Sequence, residues 1–204
     1  MSLLHLQDIT VGYQKPILAH VTFQIKKGEV LGLSGSNGCG KSTLLKALSG
    51  EARIFSGIVT KLPALKISLQ KQHPPRLADF PLSAHEYLTL MAADKAMLPP
   101  RLELLRHQRV DSLSGGQFQL LSIFACLASP SQLVLLDEPT NNLDPAGVSL
   151  LLEMLKNRRP EQGIVLISHD HDFVHAATTR QIDLTALHCS DPLWRARRQA
   201  CPPG

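Results

Sequence analysis

Two apolar rhythms alternate along the chain. Leu3 to Val11 and Val21 to Ile25 step between apolar and polar residues, and Gly12 with the Gln14-Lys15-Pro16 stretch interrupts them, so residues 1 to about 30 predict a small antiparallel β unit. The run Val30, Leu31, Gly32, Leu33 is continuously non-polar, as are Leu133 to Leu136 and Gly163 to Ile167, which is the pattern of short strands buried on both faces. Leu65 to Leu69 and Gln181 to Leu187 predict two more strands. Helical spacing occurs in Leu44, Leu45, Ala47 and Leu48, again from Phe118 to Ala128, and in Val148, Leu151, Leu152 and Leu155. Between Pro81 and Arg109 the pattern is also helical, with Ser83 as a candidate N-cap. Strands alternating with helices predict an α/β fold around a parallel sheet. About 73–130 reads as a helical lobe, and 190–204 as a frayed tail.

Composition narrows the class without choosing a function. The chain has 204 residues, 44% hydrophobic and 19% charged, which suits one well-cored domain. No segment approaches the roughly 18 uninterrupted apolar residues that a membrane-spanning helix needs. The start, Met1 to Asp8, lacks a basic stretch followed by an apolar core, so a cytoplasmic location is expected. Cys39, Cys126, Cys189 and Cys201 are widely spaced with no C-x-x-C pair, which argues against a disulfide framework and a structural zinc site. The net charge of +4 suits an anionic ligand as well as it suits nucleic acid, and decides nothing alone.

The chemistry concentrates at Gly35-Ser36-Asn37-Gly38-Cys39-Gly40-Lys41-Ser42-Thr43, placed between an apolar strand and a helix. That is G-x-x-x-x-G-K-[ST], a phosphate-binding loop, in which glycines let the backbone curl round an anion and a helix start offers N–H donors. Lys41 is suited to the β- and γ-phosphates and the Ser42 hydroxyl to Mg²⁺. Ser114-Gly115-Gly116-Gln117 marks a second helix start; read alone it is a common turn. Asp137-Glu138 and Ser168-His169 each close a buried strand, the edge where parallel sheets bind ligands. His171 and His175 are spaced i, i+4 without a third ligand, the pattern of an exposed helix face. Tyr13 lies in a turn ahead of the loop, either as a stacking platform for an adenine or as a surface or core-edge tyrosine.

Taken together, these residues resemble an ATP-binding-cassette ATPase nearly to Leu187. Gly35 to Thr43 matches the Walker A loop, Leu113 to Gln117 the cassette signature, Leu133 to Asp137 Walker B with Glu138 following, and Asn142-Leu143-Asp144 the D-loop. His169 matches the switch histidine, and Gln72, preferred over Gln70 because it closes the strand before the lobe, the glutamine-loop residue. The resemblance implies a phosphate-loop NTPase fold with a RecA-like core, binding ATP and Mg²⁺. It further implies a homodimer paired head to tail, with Ser114 and Gly116 completing the partner's ATP site. In that scheme Ser42, Gln72 and Asp137 organise Mg²⁺, while Glu138 polarises water and His169 holds the γ-phosphate.

Phe80-Pro81-Leu82-Ser83 after the glutamine loop looks like the zinc and manganese importers, which implies permease partners, an extracytoplasmic solute-binding protein, and no nucleic acid. The expected site of action is the cytoplasmic face of the membrane. The alternative is a soluble regulatory cassette acting on ribosomes or another macromolecule, which Glu138 to Asp144 also resembles, although those factors carry two cassettes. Two departures stand out. Leu120 and Ala125 occupy positions where many relatives have arginine, and Cys39 stands where many have alanine, predicting a reactive thiol whose labelling blocks ATP hydrolysis.

Overall fold

The computed structural model describes residues 1–71 and 82–184. The elements in order are β1 (Ser2–Gly12), β2 (Pro16–Lys26), β3 (Val30–Ser34), α1 (Lys41–Leu48), β4 (Arg53–Lys61), β5 (Ile67–Gln70), α2 (Ala84–Leu90), α3 (Pro100–Glu103), α4 (Gly115–Ala128), β6 (Leu133–Asp137), α5 (Pro145–Lys156), β7 (Gly163–Ile167), α6 (His171–Ala177) and β8 (Arg180–Asp183). They form two sheets. β2, β1 and β4 make an antiparallel sheet in that order, and a five-stranded sheet runs β5-β6-β7-β3-β8 with every pairing parallel.

The expected β unit therefore gains a strand that its sequence pattern hides. β4 pairs with β1, yet most of its residues are half-exposed or exposed, so one buried face never imposes a clean alternation. Gly57 breaks the rhythm further: at φ +90° it lies against the backbone of Asp8 and Ile9, where a Cβ would fall 2.4 Å from the Asp8 carbonyl oxygen. β2 also starts earlier than its alternation suggests, at Pro16, because a proline at the first position of a strand leaves the ladder intact.

The parallel sheet divides the core by strand alternation. Leu31, Leu33, Leu133, Leu135, Val165 and Ile167 face α1 and the antiparallel sheet. Val30, Val134, Leu136, Ile164 and Leu166 face α4, α5 and the lobe. Successive side chains on a strand point to opposite faces, so a strand covered on both sides must be apolar throughout. α4 is buried from Phe118 to Leu127, which explains its nearly continuous apolar sequence. Leu120 and Ala125, 2% and 0% exposed, are absorbed into this packing, where a charged side chain would need a buried partner.

The lobe is tied to the core by specific contacts. Ser83 caps α2 as expected, in a reciprocal capping box with Glu86. Tyr87 on α2 meets Phe118 on α4 edge to face, with ring centroids 5.7 Å apart. Arg101 on α3 donates to both carboxylate oxygens of Asp144, at 3.1 and 3.0 Å. Gln72, Pro81 and the tail from residue 185 onward lie outside the described residues.

Candidate active site

The carboxyl ends of β3, β6 and β7 meet at one edge, because these strands are parallel and β7 lies between β6 and β3. β3 leads into the phosphate loop, β6 ends at Asp137 followed by Glu138, and β7 leads to Ser168 and His169. A cavity of about 380 Å³ opens there, lined by Asn37, Gly38, Gly40, Lys41, Ser42 and Thr43 of the loop together with Glu138 and His169.

Gly40 is the N-cap of α1 at φ +104°, with no side-chain cap on the helix N–H groups. A Cβ there would sit 2.9 Å from the Leu18 side chain and 3.1 Å from that of Ile17, so both the backbone angle and the packing require glycine. The uncapped helix start faces the cavity as an anion site. Lys41 is 7% exposed, and its Nζ donates to the carbonyl oxygens of Gly35 at 2.8 Å and Ser36 at 3.2 Å. The loop thus brackets its own cation.

Ser42 Oγ donates to Asp137 Oδ1 at 2.9 Å, placing a hydroxyl and a carboxylate side by side. Burial raises the Asp137 pKa, partly opposed by the Ser42 hydrogen bond and by Lys46 and Lys41. Glu138 is 6% exposed and takes left-handed backbone geometry at φ +51°. Its Oε1 lies 3.0 Å from His169 Nε2, and its Oε2 accepts from the His169 backbone N–H at 3.3 Å. Burial raises the Glu138 pKa too; His169 opposes this and Asp137 reinforces it.

Raised folded pKa values make both carboxylates a cost to the fold near neutrality. The folded chain holds these protons more tightly than the unfolded chain, so their contribution to stability declines as pH rises above the ordinary carboxylate range. Glu138→Gln is therefore expected to raise the unfolding midpoint at pH 7. The gain should vanish near pH 4, where the wild-type carboxyl group is itself protonated. Calorimetric melts at the two pH values check this, and a midpoint lowered at pH 7 would contradict it.

The signature and D-loop stand elsewhere. Ser114 is the N-cap of α4 in a capping box with Gln117: its Oγ accepts from the Gln117 N–H at 3.2 Å, and the Gln117 Oε1 accepts from the Ser114 N–H at 2.8 Å. Ser114, Gly115, Gly116 and Gln117 are absent from the cavity wall. Gly116 packs on the D-loop, where a Cβ would lie 2.5 Å from the Asn142 carbonyl oxygen. Asp144 caps α5 by accepting from the Gly147 N–H at 2.8 Å; the Arg101 guanidinium, followed by that backbone bond, lowers its pKa.

Three expectations fare differently. Tyr13, 46% exposed, does not line the cavity; Ile17, four residues on, does. Cys39 is 1% exposed and belongs to the apolar core around β2 and α1, which corrects the expectation of a reactive thiol. The loop turns this side chain inward, so a reagent must displace core packing to reach it. His171 and His175 lie on the exposed face of α6. Gln70, the glutamine not preferred from sequence, ends β5 at 2% exposure, its Oε1 buried without a hydrogen-bond partner.

A phosphate loop, a hydroxyl–carboxylate pair and a glutamate–histidine pair on one sheet edge define a nucleotide-hydrolysing ATPase of the phosphate-loop class. Residues 18–141 match the ABC transporter family. The chain is 34% identical over 194 residues to the zinc import ATP-binding protein ZnuC 1 of Hahella chejuensis, covering 92% of this chain and 76% of that protein. It is 32% identical over 192 residues to ZnuC of Paracoccus denitrificans, covering 90% and 76%. The solved structure of an ATP-binding subunit of an ABC transporter superposes with a TM-score of 0.78 at 25% identity, covering 97% of this chain and 93% of that one. The chain belongs to the ABC transporter family, as an ATP-hydrolysing subunit coupled to transport.

Proposed function

We propose that the chain works as one half of a head-to-tail pair, hydrolysing Mg-ATP to drive import of a divalent metal cation, zinc first among them, through separate permease subunits. The observation that carries this reading is the division of the site. Lys41, Ser42, Glu138 and His169 share one cavity, whereas Ser114 and Gly116 lie outside its wall and are left to serve a second chain. The Hahella and Paracoccus relatives are zinc import ATP-binding proteins, which supports the cargo. Among the described residues no helix is long and apolar enough to cross a membrane. In this reading a separate permease supplies the path, with a solute-binding protein outside. The chain then sits at the cytoplasmic face through its permease.

The site suits Mg²⁺ chemically: the adjacent Ser42 hydroxyl and buried Asp137 carboxylate are hard oxygen donors, and a cation would offset the burial cost of the acid. When bound, the ion neutralises phosphate charge. Lys41 and the α1 N–H groups hold the phosphates, and Gln72 belongs with this set by its position in the chain. Glu138 accepts a proton from the attacking water, whose oxygen bonds the γ-phosphorus as the bond to ADP breaks. His169 orients the Glu138 carboxylate and holds the γ-phosphate, and Tyr13, exposed in the turn before β2 and outside the cavity wall, is assigned to stack on an adenine that extends beyond the phosphate pocket. Loss of the γ-phosphate contacts releases the pair.

The cargo is tested in cells deleted for this chain. Growth under a divalent-metal chelator and uptake of radioactive zinc should both fall, and the wild-type gene but not Glu138→Gln should restore them. Unchanged zinc uptake in the deletion strain would overturn the cargo assignment while leaving ATP hydrolysis intact.

A further inference from the structure

Gln119 is a polar side chain buried to 2% exposure inside an otherwise apolar helix, α4. A buried amide is retained only where its hydrogen bonds are made. Here Nε2 donates to the carbonyl oxygen of Glu138 at 3.3 Å and to that of Pro139 at 3.4 Å, using the two N–H bonds an amide offers. Residue 119 lies three positions after Gly116, and i, i+3 residues share a helix face. That face presses on the turn after β6 at both ends, Gly116 on Asn142 and Gln119 on Glu138 and Pro139.

The turn needs holding. Glu138 is a non-glycine residue at φ +51°, a sparsely populated conformation that persists only where its surroundings impose it. Its N–H donates to the Ile167 carbonyl oxygen at 2.9 Å on the β7 side, and its own carbonyl oxygen is held by Gln119 on the α4 side. The peptide groups that set the direction of the carboxylate are thus gripped from two elements.

We propose that Gln119 is a positioning residue for ATP hydrolysis: its amide fixes the left-handed turn at Glu138 from the signature helix, so that engagement of the signature with a partner's nucleotide is transmitted to this chain's own carboxylate. The inference rests on the reading of Glu138 as the group that polarises water. In the head-to-tail pair proposed above it makes α4 the link between the two ATP sites, since the signature at one end would meet the partner's nucleotide while the buried side holds the local acid. Coupling of this kind is a differential interaction carried by a defined contact.

The test uses Gln119→Glu, which keeps the shape and loses both N–H donors when ionised, and Gln119→Met, which keeps length and helix propensity without a polar group. The full-length chain is assayed for kcat, KM for ATP, the Hill coefficient and the unfolding midpoint. Both variants should lose about 10- to 100-fold in kcat with KM changed less than ~3-fold, the signature of an interaction acting on the chemical step. The Hill coefficient should fall toward that of independent sites. In a Glu138→Gln background the Gln119 substitutions should add no further loss, as expected for residues acting as one unit. Wild-type kcat in a folded Gln119→Met protein would overturn the proposal, and so would losses that multiply with those of Glu138→Gln. Wild-type turnover in Glu138→Gln alone would instead overturn the reading of Glu138.

Discussion

Glu138→Gln is expected to cut steady-state ATP turnover by about 10²–10³-fold, the range in which a positioned general base contributes. The amide keeps the shape and the contacts of the side chain but cannot accept a proton from water. Glu138 is nearly buried, lies against His169 at 3.0 Å and has its pKa raised by burial, so its basicity at neutral pH exceeds that of an exposed carboxylate. Binding should survive, because the phosphate loop is untouched. With hydrolysis blocked, Mg-ATP should hold the pair closed, and light scattering should show monomer becoming dimer. Turnover at the wild-type rate would remove Glu138 from the chemistry. Binding without dimer formation would mean that the pair closes only on its permease.

Lys41→Ala is expected to weaken ATP binding by about 10²–10³-fold, corresponding to ~3–4 kcal/mol of charge-assisted hydrogen bonding to phosphate. The lysine Nζ is held by the Gly35 and Ser36 carbonyl oxygens at the cavity wall, so its position is set by the loop rather than by a flexible stem. Lys41→Arg should not restore affinity, since a planar fork does not fit a space shaped around a compact ammonium. Isothermal titration with ATP reads both variants, and an unchanged affinity in Lys41→Ala would remove the loop from nucleotide binding.

Much of this was legible in the chain because the informative signals are local. The phosphate loop is read from nine consecutive residues, and β3, β6 and β7 from continuous apolar runs, which parallel strands covered on both faces require. Ser83 and Ser114 announced their helices because capping geometry spans only three residues. β4 escaped because it is poorly buried and broken at Gly57, which leaves little alternation to read. Ile17 escaped because nothing in a single turn-flanking residue says which cavity it will line. Cys39 was misjudged because the loop's sequence gives its distance from helix N–H groups but not the side on which its thiol emerges. Gln119 had left a trace, an amide in an apolar helix, whose partners lie 19 and 20 residues further along the chain.

The division between the two levels follows from the range of the forces involved. The sequence by itself determined most of the elements and the phosphate loop, since these depend on side-chain chemistry and on contacts within a turn or two. Only the tertiary structure decided that Ser42 would meet Asp137 across 95 positions, that Glu138 would face His169 across 31, and that Arg101 would reach Asp144 across 43. Those distances are closed by strand order, which places β6, β7 and β3 side by side at their carboxyl ends. That order is chosen by burying both faces of one sheet at once, a cooperative choice that no local stretch of residues can state.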